Sequence, residues 1–336
     1  MAAVCAVLAA LTGVASLFLF NIEQRAFSPE PYKRAFEKLG LYDRMPSILA
    51  ASLFSTPASV NGVENPLWAL ISTQGVETGL SFLLPSAELK LMTDGTLDSV
   101  FAYLNGDTDS AAIPLTPIKN HFSSPAGVEA VLGLLNTQPA CTAEQLFQIG
   151  VSALTGSKFL LCNPPPDAVE LIKPLIQAQL QATTSLLPNE IALIPGNQSG
   201  TGSDPRLRLN RIRALMQITP FFPVIFLLLI VIFAVRSVRG FLNWWGYPLL
   251  AAGAIGFFLA IAGAPLIGWI IQFLIETQAE QFSSPILLST LRETTSAVAR
   301  EILNPILVQG ILLAGLGFGM VLAAFLLRNR TQLSNA

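Results

Sequence analysis

Four long stretches of this chain carry no Asp, Glu, Lys, Arg or His: residues 1–20, 214–235, 247–273 and 304–327. At 1.5 Å of rise per residue, each is long enough to cross about 30 Å of hydrocarbon as a helix. A backbone immersed in lipid must satisfy its own hydrogen bonds, so such runs have few options besides α-helix. This predicts a mainly α membrane protein with four transmembrane helices. Charge is correspondingly scarce, at 12% of 336 residues, against about a quarter in soluble domains. The deficit is uneven, because residues 21–195 have ordinary globular composition. They read as one large, mostly helical domain inserted between spans 1 and 2.

The first run has two readings. A cleaved signal peptide would need a basic start and a small-x-small cleavage site. Met1-Ala-Ala-Val4 has no base, and Ser16-Leu-Phe-Leu-Phe20 ends in bulky residues. We therefore read 1–20 as a retained signal anchor. Residues 196–213, opening with Gly196-Asn-Gln-Ser-Gly-Thr-Gly-Ser-Asp204, read as a tether. Residues 236–246 read as a loop, 274–303 as a second loop containing an amphipathic helix, and 328–336 as a tail. Pro265 predicts a kink in span 3, and Asn304-Pro305 the start of span 4.

Within the inserted domain, Ser28-Pro29-Glu30-Pro31 predicts a helix start and Gly40 its stop. Pro66 to Leu104 predicts helix divided at Pro85, ended by the turn Asn105-Gly106-Asp107. Pro164-Pro165-Pro166-Asp167 predicts another helix, with Val169, Ile172, Ile176 and Leu180 on one buried face. Ile113–Leu115 and Ile191–Ile194 are candidate strands.

Basic residues speak to orientation, and they disagree. Arg236, Arg239, Arg328 and Arg330 occupy short segments on one side, beside Trp244 and Trp245 at the expected membrane interface. The positive-inside rule makes that side cytoplasmic. Arg25, Lys33, Arg34, Lys38, Arg206, Arg208, Arg211 and Arg213 flank the large domain and point the other way, although long loops translocate largely regardless of charge. Cysteines weigh in: Cys5 lies in the first span, leaving Cys141 and Cys162 as the only two in the domain. Such a pair suggests a disulfide and an oxidising compartment, against the alternative of two buried thiols. The expectation is a multi-pass plasma-membrane protein with an extracytoplasmic domain and both termini in the cytoplasm.

Chemical motifs are sparse. His121 is the single histidine, no Gly-x-Ser-x-Gly occurs, and a two-histidine zinc site is impossible. Asn105-Gly-Asp107-Thr-Asp109-Ser110 begins like a calcium loop but lacks its later glycine and bidentate Glu, and reads as a solvated turn. No catalytic, cofactor or metal residues are assigned. With a net charge of −2 and no basic tract, nucleic acid is not expected as a partner. Intramembrane charge, the usual mark of ion and proton pathways, is missing from the four runs. Small residues are plentiful instead: Ala252, Gly256, Ala260 and Ala264 at four-residue steps, then Gly315 and Gly319. They permit close helix packing, within the chain or between copies. Gln217, Gln272 and Gln309 lie near span ends, placed to hydrogen-bond between helices.

Val100-Phe-Ala-Tyr-Leu-Asn-Gly-Asp-Thr-Asp109, Pro139-Ala-Cys-Thr-Ala-Glu-Gln-Leu146, Leu161-Cys-Asn-Pro-Pro-Pro166 and Trp244-Trp-Gly-Tyr-Pro-Leu-Leu250 are similar to segments of uncharacterised multi-span membrane proteins of Chloroflexi-type bacteria. The resemblance implies a bacterial origin and pairing of Cys141 with Cys162, and it supplies no function. The order of one span, a large domain and three spans also resembles MacB- and FtsX-like permease subunits, by topology alone. The expected function is a non-enzymatic, membrane-anchored interaction, scaffold or sensor-type protein. Its partners would be the lipid bilayer and either a protein or a second copy. The alternative is a permease-type subunit working with a cytoplasmic ATPase.

Overall fold

The computed structural model describes residues 2–55, 59–60, 63–64, 73–145, 162–194, 205–278 and 285–333. Helix α1 (Ala2–Ala26) leads into a head built from α2 (Glu30–Lys38), α3 (Leu41–Ser55), α4 (Thr73–Leu83), α5 (Ser86–Asn105), α6 (Thr116–Ser123), α7 (Pro125–Asn136) and α8 (Pro166–Leu186). Helices α9 (Pro205–Ile218), α10 (Phe221–Ala234), α11 (Val238–Gln278) and α12 (Pro285–Leu333) follow. Two small antiparallel sheets complete it: β1 (Ser59–Val60) with β2 (Val63–Glu64), and β3 (Ala111–Pro114) with β4 (Glu190–Ile194).

Four helical segments are long and apolar enough to cross a membrane: 2–26, 208–234, 238–270 and 286–328. They pack as a bundle in which α11 and α12 form the main pair and α1 lies against α10, α11 and α12. Ala260, Leu303 and Ile306 are its buried centre, with Leu17, Phe18, Ile267 and Leu307 packed around them. The outward surface stays apolar, as at Val224, Leu228 and Ile232 on α10 and Leu312, Leu316 and Phe325 on α12. That inside-out distribution is what lipid rather than water selects.

Head elements largely follow local chemistry. Pro31, Pro125 and Pro166 sit in first helical turns, where a missing N–H costs nothing. Helix α5 ends at Gly106, whose φ of 83° is the left-handed conformation that glycine adopts without a Cβ clash. Ile176 is buried with Val128, Leu132 and Leu135 of α7, and Val169, Ile172 and Leu180 flank it. The expected apolar face of α8 is thus the head's core. The two candidate strands pair with each other, Ile113 opposite Ile191, although they lie far apart in sequence. Helices α3, α6 and α7 have no counterpart in the sequence reading.

Helix ends differ from expectation at four places. Helix α1 continues past residue 20 to Ala26, because Asn21 and Glu23 find polar partners on other helices. The second half of the expected tether is helical: Pro205 opens α9, which runs to Ile218; residues 195–204 lie outside the described residues. The expected 236–246 loop shrinks to a turn around Val235–Ser237, and α11 begins at Val238. There the Ser237 hydroxyl accepts a hydrogen bond from the Gly240 N–H at 3.1 Å, an N-cap contact. Finally, the amphipathic helix and span 4 are one helix, as Pro305 does not start a new one. Proline removes one backbone bond and crowds the preceding turn, but Leu303 and Ile306 are buried on either side of it and hold the helix together. Pro265 likewise lies inside α11.

Candidate functional site: the polar junction between head and bundle

The described polar side chains with long-range partners concentrate where the head meets the bundle. Asn21 of α1 is 3% exposed. Its Nδ2 donates to Gln309 Oε1 of α12 at 2.7 Å, and Gln309 Nε2 donates back to Asn21 Oδ1 at 3.2 Å. The two side-chain amides thereby close on each other, so neither is left orphaned in an apolar setting.

Two residues along, Glu23 is 5% exposed. Its Oε1 accepts from Arg213 Nη2 at 3.1 Å and from Gln217 Nε2 at 2.9 Å, both on α9. A buried carboxylate is tolerable only with such compensation. Arg213 also donates to Asn105 Oδ1 at 2.7 Å and lies over the Phe27 ring at 4.7 Å. One guanidinium thus joins α1, the end of α5 and the helix leading into span 2.

A second set binds the head to α12. Glu301 accepts from Arg34 and Lys38 of α2. Glu293, two turns earlier on α12, accepts from Arg44 of α3 at 2.9 Å. Lys33 pairs with Asp98 of α5, and the Tyr32 ring lies tilted against Phe101 with centroids 5.0 Å apart. Burial raises the Tyr32 hydroxyl above the ordinary tyrosine range. Burial, then the 2.6 Å hydrogen bond to Asp94, raise Tyr42 well above it.

Glu293 and Glu301 were not singled out by sequence, nor were Asn21 and Glu23. A signal existed: two acids eight residues apart share a helix face, and bases at four-residue steps follow the first span.

The predicted residues fall as follows. Cys141 and Cys162 form a disulfide with a Cα–Cα distance of 5.0 Å. Around it, Cys141 N–H donates to Asn163 O at 2.9 Å, and Asn163 N–H to Pro139 O at 2.8 Å. The bridge joins the chain after α7 to the start of α8. Arg236 and Arg239 are exposed at the α10–α11 turn, and Arg328 is exposed near the end of α12. Helices α11 and α12 run antiparallel, since Gly246 abuts Val321 while Gly263 abuts Leu303. These arginines therefore share the bundle end remote from the head. Trp245 Nε1 donates to Leu227 O at 3.2 Å, and Trp244 is half-buried beside it. The side chains of Arg330, Gln272 and Ala264 lie outside the described residues.

The tightest backbone approaches between helices fall on Gly253, Gly310 and Gly317. A Cβ on Gly253 would sit 2.3 Å from Ala314 N, and one on Gly317 2.3 Å from Leu250 N. Gly310 meets Gly253 O and Phe257 N at 3.0 Å. A Cβ on Gly315 or Gly319 would meet nothing within 4 Å among the described residues. Gly256 faces Leu17 of α1 at 3.1 Å.

His121 sits on α6 with its ring edge-on to Phe122, and its Nε2 is buried without a hydrogen-bond partner among the described residues. In the calcium-like turn, Asn105 accepts from Arg213 and Asp109 from Arg206, so two of its oxygens serve ion-pair and hydrogen-bond contacts to α9.

No protein family, curated protein or solved structure matches this chain. Its class is therefore stated from its own architecture. It is a mainly helical protein with four helices able to cross a bilayer and a disulfide-bonded helical head.

Proposed function

We propose that this chain is a non-enzymatic, membrane-anchored interaction protein that holds its head outside the cell membrane in a fixed attitude. The observation that carries the reading is the clamp on α12. Arg34, Lys38 and Arg44 of the head grip Glu301 and Glu293 on a helix that continues through the bundle. A head on a flexible stalk would need no such contacts. A head that presents a surface at a set height and angle does.

Sidedness follows the same logic. Of the eight bases flanking the head, Lys33, Arg34, Lys38, Arg206 and Arg213 have carboxylate partners. Those five have a structural cause for lying there, which lightens the count set against the short-segment bases Arg236, Arg239, Arg328 and Arg330, whose side we read as cytoplasmic. The disulfide supports an oxidising location for the head. Both termini then lie in the cytoplasm. Labelling intact cells with an impermeant thiol reagent tests this: Cys141 and Cys162 are expected to react only after reduction. Labelling only after lysis would reverse the orientation. For the function itself, crosslinking and purification in mild detergent are expected to return a protein partner or a second copy. Repeated recovery of the monomer alone would overturn it.

A second reading has its own observation. Helix α12 has 49 residues, about 70 Å at helical rise, and connects the Arg328 end directly to the head clamp. Such a rod suits a permease-type subunit relaying motion from a cytoplasmic ATPase. Crosslinkers placed at Arg236 and Arg239 would capture that ATPase, and their failure to do so would remove this reading.

A further inference from the structure

We propose that a crevice between α11 and α12, at the head end of the bundle, binds the phosphate headgroup of an anionic phospholipid. The two helices change character at different heights. Gly263 of α11 lies against Leu303 of α12, and toward the head from that level α11 stays apolar through Ile271 and uncharged through Phe273, while α12 becomes polar from Glu301 outward. Over roughly ten residues, about 15 Å along the axis, an apolar wall therefore faces a polar one. The crevice between them has a volume of about 550 Å³, within the usual range of small-molecule sites.

Its apolar wall is Pro265, Gly268 and Trp269, with Trp269 65% exposed. Its polar wall is Ser289, Arg292, Ser296 and Arg300. Arg292, Ser296 and Arg300 recur at four-residue steps and so stand above one another on a single face. Both arginines are exposed, and neither has a carboxylate or hydrogen-bond partner among the described residues. Their neighbours are different: Glu293, which also lines the crevice, is engaged by Arg44, and Glu301 by Arg34 and Lys38. The acids on this part of α12 are thus neutralised by the head, and the Ser289 and Ser296 hydroxyls donate to Ile286 O and Glu293 O of their own helix, so the crevice is left with two uncompensated cations. Guanidinium groups suit phosphate oxygens by charge and fork geometry. The site opens beside the lipid-facing residues Leu266, Ile270 and Phe273, where acyl chains would continue. An amphiphile with an anionic phosphate head and apolar tails fits that arrangement; a free anion would leave the Trp269 wall unused.

The test uses the full chain in detergent micelles, titrated with phosphatidylglycerol and read by native mass spectrometry. Phosphatidylcholine and inorganic phosphate serve as competitors. Arg292→Gln and Arg300→Gln are each expected to weaken phosphatidylglycerol binding about fivefold, and the double variant about thirtyfold. Gly268→Leu, at a position with nothing within 4 Å, fills the crevice without removing charge and is expected to weaken binding as well. Arg211→Gln removes an exposed base from α9, outside the crevice, and is expected to leave binding unchanged. Unaltered melting of the arginine variants separates these effects from misfolding. Retention of wild-type binding by the double variant would overturn the proposal. Equal weakening by Arg211→Gln would do the same, as would equal affinity for phosphatidylcholine or displacement by millimolar inorganic phosphate.

Discussion

Replacing Gly253 by alanine adds one methyl group and nothing polar, yet its consequence depends entirely on the α11–α12 contact. The new Cβ would lie 2.3 Å from Ala314 N, 2.6 Å from Gly310 O and 2.8 Å from Ala314 Cα. Ordinary contact begins near 3.4 Å, so relief requires 3.4 − 2.3 = 1.1 Å of separation. All three obstacles are backbone atoms, which no rotamer change can move. The helices must part, and a gap of that size forfeits a quarter to a half of each pairwise dispersion well along the seam. Overpacking of this kind costs about 1–3 kcal/mol. Helix propensity works in the opposite direction by about 1 kcal/mol, and the steric cost exceeds it. Gly315→Ala and Gly319→Ala are the controls, since neither Cβ meets anything within 4 Å; they are expected to melt at or above the wild-type temperature. Thermal unfolding of the purified protein in mild detergent, followed by the loss of the monodisperse peak, measures the difference. A Gly253→Ala variant as stable as wild type would refute the reasoning. So would Gly315→Ala or Gly319→Ala losing as much as Gly253→Ala.

Three further outcomes follow from the junction and the head. Glu23→Ala leaves the half-buried Arg213 without its carboxylate and is expected to cost about 2 kcal/mol in the same assay, less than a fully buried pair because solvent still reaches the guanidinium; in the Glu23→Ala, Arg213→Ala double variant the losses should fall well short of additive. Reducing the Cys141–Cys162 bond, which spans 21 residues, should lower head stability by about 3 kcal/mol, read as earlier proteolysis between α7 and α8 with dithiothreitol present. Tyr32 and Tyr42 have raised values in the folded chain, so their contribution is complete below the unfolded-state value near 10 and is lost as pH climbs above it. Absorbance titration at 295 nm should show a late-ionising component that Tyr42→Phe diminishes.

Legibility differed between the two halves of the molecule. Spans 1 to 4, the Pro-led helices α2 and α8, the Gly106 stop and the β3 and β4 segments could be read locally. The spans, the Pro-led helices and the Gly106 stop rest on apolar run length, first-turn proline or glycine conformational freedom, none of which needs a distant partner; the β3 and β4 segments showed as short apolar runs, but their pairing with each other did not. The Cys141–Cys162 bridge was legible for a different reason, there being no other cysteine in the domain to pair with either. The helix ends were not legible, because Asn21, Glu23 and Pro305 look like stops until Gln309, Arg213 and the packing of Leu303 and Ile306 are in place.

The amino-acid order by itself determined that this chain seeks a bilayer, since transfer free energy sums over each uncharged run whatever lies next to it. Tertiary structure alone decided which small residues touch, which acids are neutralised and which arginines are left free. Gly315 and Gly317 are both plausible contacts in a list of residues, but helix phase turns one into open space and the other against Leu250. Glu301 and Arg300 are neighbours in sequence, yet the head reaches one and leaves the other to face the crevice. Such pairings depend on the relative rotation and height of separate helices, quantities that no single segment contains.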